Sequence, residues 1–156
     1  MLKYIVLVTE KQKRNMGTRS NISVLEKNGK VKMIYCHWDG YPSWNGKVLL
    51  TAYNSEAQAR ELVSLGDISS LCAQIAPPTG VVHTFDKPAT DVTVAYHRDR
   101  KEKWADVKPT TFPTLKAAKS KMQEFLYVWN VEKGKWFFTD GKMGLVELTP
   151  EACEEI

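Results

Sequence analysis

The chain has 156 residues, of which 43% are apolar and 26% are charged, and its formal net charge is +4. A chain of this length fits a single domain and buries roughly 70% of the surface that its unfolded form exposes. The composition excludes a disordered chain, and no apolar run approaches the ~18 residues that a membrane span requires. We therefore expect one soluble domain over residues 1–156, without a membrane as partner.

Charge is unevenly distributed along the chain. Basic residues concentrate in residues 3–14 and 98–121, whereas residues 150–156 form an acidic tail. Basic patches attract anionic partners such as phosphates and nucleotides, and the alternative interpretation is a solvated face that keeps a small protein soluble. The lysines near residues 116–121 suit solvation better than contact with nucleic acid, so nucleic acid is not an expected partner.

The cysteines and the known catalytic signatures narrow the function classes. Cys36, Cys72 and Cys153 are odd in number and far apart, which predicts neither a disulfide framework nor a zinc site and favours a reducing cytosol. The chain has no metal-binding motif, no phosphate loop of Walker type and no Gly-x-Ser-x-Gly elbow. We predict no metal and no cofactor, and the motifs assign no catalytic residue.

The first part of the chain is predicted to form strands. Residues 1–15 are interpreted as an N-terminal extension. Residues 2–9 within it are predicted to form a strand, because β-branched and aromatic residues dominate that stretch. An Asn-Gly pair at 28–29 lies between two apolar runs and predicts a hairpin of strands 20–25 and 31–38. Both faces of the second strand are largely apolar, which is typical of a strand in the middle of a sheet.

Helices and further strands follow without regular alternation. Helices are predicted at residues 44–53, 55–65 and 113–124, and strands at 92–96, 125–131, 136–138 and 145–148. The helix at 55–65 begins with a capping box, in which Ser55 is followed three residues later by Gln58. This order predicts an α+β fold, with a mostly antiparallel sheet and two to four helices packed on it.

The densest chemistry lies in the segment Tyr-Cys-His-Trp-Asp-Gly-Tyr-Pro at residues 35–42. On an extended strand His37 and Asp39 point the same way, so the carboxylate would orient the imidazole as a phosphate ligand or an acid-base group. A structural pair that caps a turn is the alternative. Three aromatic residues are candidates for stacking on a planar ligand: Trp38, Tyr41 and Trp44.

Three other segments carry side chains that suit an anion. These residues are Arg19 and Ser20, then Asp67, Ser69 and Ser70, and finally Arg98 and Arg100. The arginine guanidinium matches the geometry of phosphate, and hydroxyl groups can complete the coordination. Each segment also has a structural interpretation, because Asp67 with the two serines could cap a helical turn and the arginines could form surface ion pairs. We predict that the segments converge on one pocket.

Several segments resemble a family of small, mostly uncharacterised bacteriophage proteins. The segments are Gly-Thr-Arg-Ser-Asn-Ile from residue 17, the block at 35–42, Leu-Gly-Asp-Ile-Ser-Ser-Leu from residue 65 and Tyr-His-Arg-Asp-Arg from residue 96. In that family a Gly-Glu pair commonly follows the last segment, where this chain has Lys101 and Glu102. The resemblance implies a phage origin and a place of action in the cytosol of the host bacterium, but it brings no established reaction.

Three hypotheses for the function follow. In the first, the protein binds a phosphorylated ligand and sequesters a host immune signal nucleotide, with Arg19, Arg98 and Arg100 on phosphates. His37 and Asp39 would then contact ribose or phosphate, and an aromatic ring would stack on the base. In the second, an enzyme cleaves a phosphorylated nucleotide and His37 acts as acid or base. In the third, the basic face inhibits a host defence protein by direct contact. Assembly into a homo-oligomer stays open.

Overall fold

An antiparallel hairpin is the first element of the described structure. This structure is a computed structural model that describes residues 17–154, so the strand predicted at 2–9 lies outside the described residues. Strand β1 (Ser20–Leu25) pairs with β2 (Val31–Cys36) through a turn in which Gly29 has a φ of +91°. Glycine adopts this left-handed backbone without steric cost. The predicted hairpin is confirmed, and β2 ends two residues earlier than expected.

The hairpin lies in the middle of a mixed sheet. Residues 17–154 contain eight strands. Besides β1 and β2 they are β3 (Ile68–Ser70), β4 (Val94–Ala95), β5 (Thr110–Phe112), β6 (Phe125–Asn130), β7 (Lys135–Thr139) and β8 (Val146–Glu147). The order in the sheet is β4-β3-β2-β1-β6-β7-β8, and β5 also pairs with β2. The pairs β1–β6 and β2–β3 are parallel, and the other strand pairs are antiparallel. The mostly antiparallel sheet and the central position of β2 are confirmed.

One edge of β2 is shared by two short strands that leave a gap between them. Because β1 pairs along the whole of β2, both β3 and β5 lie on the opposite edge. There β5 pairs with residues 31–33 of β2, and β3 pairs with Cys36. Ile34 and Tyr35 therefore have no strand partner on this edge. We call this interruption the edge gap.

Short helices connect and cover the strands. The described part of the chain contains six α-helices: α1 (Lys47–Ala52), α2 (Glu56–Val63), α3 (Tyr96–Arg100), α4 (Trp104–Val107), α5 (Leu115–Lys119) and α6 (Pro150–Glu154). A π-helical turn, Pro42–Gly46, leads into α1. The number exceeds the two to four expected because four of the helices have only four or five residues. The capping box of α2 is confirmed, since the Ser55 hydroxyl accepts the Gln58 N–H.

Two segments differ from the predicted elements. The helix predicted at 113–124 ends at Lys119, because the Ser120 hydroxyl donates back to Ala117 O. The segment 96–100, predicted to end a strand, forms α3 instead. The Asp99 carboxylate accepts the N–H of Ala95 and turns the chain back after β4, so these residues cannot continue the strand.

Apolar side chains pack on both faces of the sheet. The face under α1, α2 and α6 carries the larger core, which includes Ile34, Cys36, Leu62, Trp129 and Trp136. A smaller core under α5 joins residues of β2 and β6. These layers confirm the α+β fold in a single domain.

The C-terminal segment of the described chain is a short helix. Residues 150–154, expected as part of an acidic tail, form α6 with Cys153 buried against the larger core. None of the helices in residues 17–154 is long and apolar enough to cross a membrane.

Candidate functional site

The Asp-Gly turn after β2 brings the N-terminal segment beside the end of that strand. Asp39 has a φ of +55°, and the Gly40 N–H donates to Thr18 O at 2.8 Å. A Cβ atom at Gly40 would lie 2.7 Å from the Cβ of Ser20, so only glycine allows this approach. The Ser20 hydroxyl is buried here and accepts the side-chain N–H of Asn45. Ser20, a candidate ligand residue, therefore belongs to the internal packing.

The predicted pairing of His37 with Asp39 is wrong. His37 Nδ1 lies 2.8 Å from the Tyr35 hydroxyl, and Asp39 accepts the Tyr41 hydroxyl at 3.0 Å. The left-handed backbone at Asp39 ends the alternation of an extended strand, so its carboxylate does not follow His37 on the same side. The hydrogen-bonded pair at the end of β2 is Tyr35 with His37.

Each of the three candidate aromatic rings is fixed by a different neighbour. Trp38 is half-buried and packs edge-on against the His37 ring, with 4.7 Å between ring centroids. The Trp44 indole N–H donates to Leu71 O, and the ring is 41% exposed. Tyr41 hydrogen-bonds to Asp39. Trp38 therefore lies beside the Tyr35–His37 pair, and it is not a residue of the buried core.

Asp67 fills the edge gap. Its Oδ1 accepts the Tyr35 N–H at 2.9 Å, in place of the strand partner that β2 lacks there. Its own N–H donates to Val107 O, and its carbonyl accepts the N–H of Tyr96. Burial raises the pKa of the Asp67 carboxyl to about 6, the Tyr35 N–H opposes this rise, and the charge of Glu102 adds to it. Asp67 thus joins β2, α3 and α4 and carries a carboxyl that titrates near neutrality.

The two serines after Asp67 do not cap a helical turn, as one interpretation held. Ser69 and Ser70 lie in β3, where the parallel pairing with β2 continues as Trp38 N–H donates to Ser69 O. Ser69 is buried and Ser70 is half-buried. The side chain of Ser69 forms a hydrogen bond with the Tyr96 hydroxyl, which opposes the increase that burial causes in the pKa of Tyr96. Ser69 therefore faces the site, on the side of α3.

Two exposed arginines flank the tyrosines. Burial raises the pKa of the Tyr35 hydroxyl, and the charge of Arg19 opposes this rise. Arg19 forms no ion pair with any carboxylate in residues 17–154. The Arg100 guanidinium lies 4.8 Å from the centroid of the Phe85 ring and forms an ion pair with Glu102. Within the part of the chain that the structure describes, Arg19 has no carboxylate partner, whereas Arg100 is partly engaged.

Arg98 does not belong to this site. Its guanidinium donates to Ile75 O, Thr93 O and the Asp99 carboxylate, so its donors are used inside the fold. Asp99 also accepts His83 Nε2–H at 3.1 Å, because the Nδ1 atom of that ring accepts the Ala89 N–H. This buried His-Asp-Arg network fixes residues 73–93 to α3. The assignment of Arg98 to a ligand phosphate is therefore corrected.

The sequence reasoning overlooked two tyrosines of the site. Tyr35 and Tyr96 lie inside two of the segments that carry candidate residues. The sequence assigned both tyrosines only to strands, because of the strand pattern around them and the preference of tyrosine for strands. The available signal was their position, since each adjoins a candidate imidazole or arginine in the sequence. The structure brings Arg19, His37 and Asp67 together around Tyr35, whereas Tyr96 lies beside Ser69 and Arg100.

Two clefts open on opposite sides of the edge gap and share Asp67 and Thr110. The large cleft, about 870 Å³, lies on the side of α2, and its lining includes Lys32, Arg60, Trp104, Lys108 and Thr111. The small cleft, about 360 Å³, lies on the side of α5, and its lining includes Asn21, Tyr35, Phe112, Lys121 and Gln123. Among residues 17–154, no three His, Cys, Asp or Glu side chains come together as metal ligands would. The basic and hydroxyl groups around the small cleft suit an anion.

Comparisons with known proteins add no family to this description. No family model, curated protein or solved structure matches the chain. The resemblance to bacteriophage proteins stays a prediction, and the function is inferred from the site itself.

Replacing Asp67 with asparagine should change how stability depends on pH. The folded-state pKa of about 6 lies above the ordinary value of 3.8, so this group stabilises the fold increasingly as the pH falls between these values. Asparagine keeps an acceptor for the Tyr35 N–H and cannot ionise. The variant should therefore be at least as stable as the wild type near neutral pH, and this advantage should shrink in acid. Urea unfolding of both proteins across this pH range measures the difference, and a difference independent of pH contradicts the assignment.

Proposed function

We propose that the protein binds a small phosphorylated ligand at the small cleft. The observation that carries the proposal is the position of Arg19, an exposed guanidinium beside the Tyr35–His37 pair without an ion pair among residues 17–154. A cation that lacks a carboxylate partner, next to hydroxyl and imidazole groups, can give charge-assisted hydrogen bonds to an anion. Tyr35 connects Arg19 to the small cleft, because Tyr35 lines that cleft, and Lys121, also exposed, lines it too and adds a second positive charge.

The Tyr35–His37 pair supplies donors for such a ligand. When the Tyr35 hydroxyl donates to Nδ1, the neutral imidazole carries its proton on Nε2, where it can donate to a phosphate oxygen. Arg19 is a planar donor that phosphate oxygens can engage in pairs. We assign phosphate contacts to Arg19, Lys121 and His37. Arg98 has no part in them.

The resemblance to phage proteins adds a more specific proposal. In this form, the ligand is a nucleotide signal of the host's immune response, and the protein removes it from solution by binding without turnover. Stoichiometric capture needs no catalytic group, which agrees with the lack of a recognised catalytic signature in the sequence. The site of action would then be the cytosol of the infected bacterium.

One observation favours an enzyme as the second candidate. Asp67 has a carboxyl pKa of about 6 and binds the backbone of Tyr35, whose hydroxyl contacts His37. A carboxyl that titrates near neutrality, joined to an imidazole through one tyrosine, is suited to acid-base catalysis. In this alternative water attacks the phosphorus of a phosphoester, and Asp67 or His37 accepts the proton of that water or donates a proton to the departing ester oxygen.

Capture from a cell extract tests the proposal. The purified protein is incubated with a bacterial nucleotide extract that contains cyclic signal nucleotides, and the bound and free fractions are analysed by mass spectrometry. We expect one phosphorylated species to be enriched in the bound fraction and released unchanged by heat. New products in the free fraction would support the enzyme instead. Capture of a host protein, with nucleotides ignored, would contradict both.

Replacing Arg19 with alanine should weaken this capture about tenfold, since one charge-assisted hydrogen bond contributes roughly 1.5–3 kcal/mol. The matched control is Lys27→Ala, which removes an exposed cation from the hairpin turn at the other end of β1. The control should bind as the wild type does. Equal binding by the Arg19 variant would remove this residue from the site, and equal losses in both variants would indicate a nonspecific effect of net charge.

A further inference from the structure

We propose that the large cleft is a second binding site, which takes an uncharged planar nitrogen heterocycle of purine size. Its volume of about 870 Å³ lies within the range of small-molecule sites in proteins. Its lining includes an aromatic ring, Trp104, together with Asp67, Thr110 and Thr111. The site lies on the opposite side of the edge gap from the small cleft, where the phosphorylated ligand is proposed to bind, and it shares Asp67 and Thr110 with that cleft.

The position of the Trp104 ring suits stacking on a planar ligand. The indole is 41% exposed where it lines the cleft, and the His97 ring packs against it at 5.2 Å between centroids, tilted by 64°. A Cβ atom at Gly66 would lie 3.0 Å from the indole, so the chain at this glycine lies directly against the ring. A rigid aromatic surface loses little conformational entropy when a planar ligand stacks on it.

The helix that carries Trp104 is fixed to the edge gap. The N–H of Asp67 donates to Val107 O at 2.7 Å, and the N–H of Lys108 donates to Trp104 O at 2.8 Å. The first bond anchors the C-terminal end of α4 to the backbone of Asp67, and the second closes the turn of α4 itself. Trp104 and Asp67 are therefore joined through a short hydrogen-bonded piece of backbone.

Asp67 supplies the polar contact that would orient the ligand. Its Oδ1 accepts the Tyr35 N–H, while Oδ2 has no hydrogen-bond partner among residues 17–154. A half-buried carboxyl oxygen without a donor is suited to accept an N–H from a heterocycle. Thr111, on the adjacent strand β5, pairs with Lys32, which also lines this cleft, so the Thr111 hydroxyl can contact the other polar atoms of the ring.

The charges around the large cleft favour an uncharged ligand over a phosphate. Arg60 donates to both carboxylate oxygens of Glu26 at 2.6 and 2.7 Å, and its Nε donates to Glu56. The guanidinium is thus neutralised within the fold. Lys108 shares the lining with Asp106, so positive and negative groups alternate there. An anion would gain little electrostatic binding energy from these mixed charges, whereas stacking and hydrogen bonding depend less on net charge.

Titration with adenine and hypoxanthine tests this site. We expect saturable binding of at least one of these purines in equilibrium dialysis, with a dissociation constant in the millimolar range or below. Trp104→Ala should weaken binding about tenfold, because stacking on one aromatic ring accounts for roughly that factor. Trp44→Ala is the matched control, since this ring is also 41% exposed and does not line the cleft. Binding to the control should be unchanged.

Further variants separate this site from the phosphate site and from misfolding. Arg19→Ala should leave purine binding unchanged, and Trp104→Ala should leave capture of the phosphorylated species unchanged. Trp104→Leu keeps an apolar side chain against Gly66 but removes the aromatic face, so it should lose binding even if the alanine variant unfolds. The absence of saturable binding, or its retention in Trp104→Leu, overturns the proposal whether or not the phosphate site exists.

Discussion

Replacing Gly40 with alanine should lower the free energy of unfolding by about 3 kcal/mol, the upper range for overpacking in a protein interior. The added Cβ atom would lie 2.7 Å from Ser20 Cβ and 2.9 Å from both the Arg19 carbonyl carbon and Thr18 O. The turn cannot move away freely, because the Tyr127 hydroxyl donates to Gly40 O at 2.6 Å. Urea unfolding measures the loss.

Gly144→Ala is the control for this prediction. No atom lies within 4 Å of a Cβ at Gly144, and its φ is outside the left-handed region. This variant should differ from the wild type by less than about 0.5 kcal/mol. Equal stability of the Gly40 variant and the wild type would mean that residues 18–20 do not pack against the Asp-Gly turn. The position of Arg19 beside Tyr35 would then lose its support.

Replacing Asp99 with alanine should lower the free energy of unfolding by about 3 kcal/mol, because it removes one partner of a buried ion pair. The Asp99 side chain is 4% exposed and accepts hydrogen bonds from Arg98, His83 and the Ala95 backbone. The variant leaves these donors without their acceptor. Chemical denaturation gives the stability, and hydrogen exchange should show faster exchange in residues 73–93.

The same carboxyl should contribute to acid unfolding. Burial raises the pKa of Asp99, but the hydrogen bonds from Arg98 and Ala95 outweigh it and hold the pKa below its ordinary value of 3.8. The stabilisation is complete above that value and is lost as the pH falls through the lower folded-state pKa. The difference between wild type and Asp99→Ala should therefore shrink in strong acid.

Asp86→Ala is the matched control for Asp99, since Asp86 is an exposed carboxylate in the segment 73–93 that the Asp99 network fixes to α3. It should change stability by less than about 0.5 kcal/mol. A similar small effect in both variants would show that the His83–Asp99–Arg98 network does not hold the loop. Arg98 would then be free to serve a ligand, as the sequence first suggested.

Local signals explain the parts of the fold that could be predicted from the sequence. The Asn-Gly turn and the Ser55 capping box depend on neighbouring residues only, and both form as expected. The apolar residues on both faces of β2 likewise indicated a central strand. In each case the information lies within a few positions of the chain.

The site was harder to predict because long-range contacts decide its groups. One backbone angle at Asp39 separates that carboxylate from His37, and no local pattern reveals it. Arg98 and Asp67 lie in similar polar segments, but their partners differ. Arg98 donates its hydrogen bonds to the carbonyl oxygens of Ile75 and Thr93, whereas Asp67 accepts the Tyr35 N–H in the edge gap. The residue types of the site were visible in the sequence, and their partners were not.

A titration followed by nuclear magnetic resonance tests the central claim most directly. Isotope-labelled protein is titrated with pyrophosphate, and the amide shifts are mapped onto the chain. We predict that the saturable shifts cluster around Tyr35 and Lys121, which line the small cleft, and around Arg19 and His37, which lie beside Tyr35. Shifts that are spread over exposed lysines elsewhere, or an unchanged spectrum, would contradict a phosphate site at the small cleft.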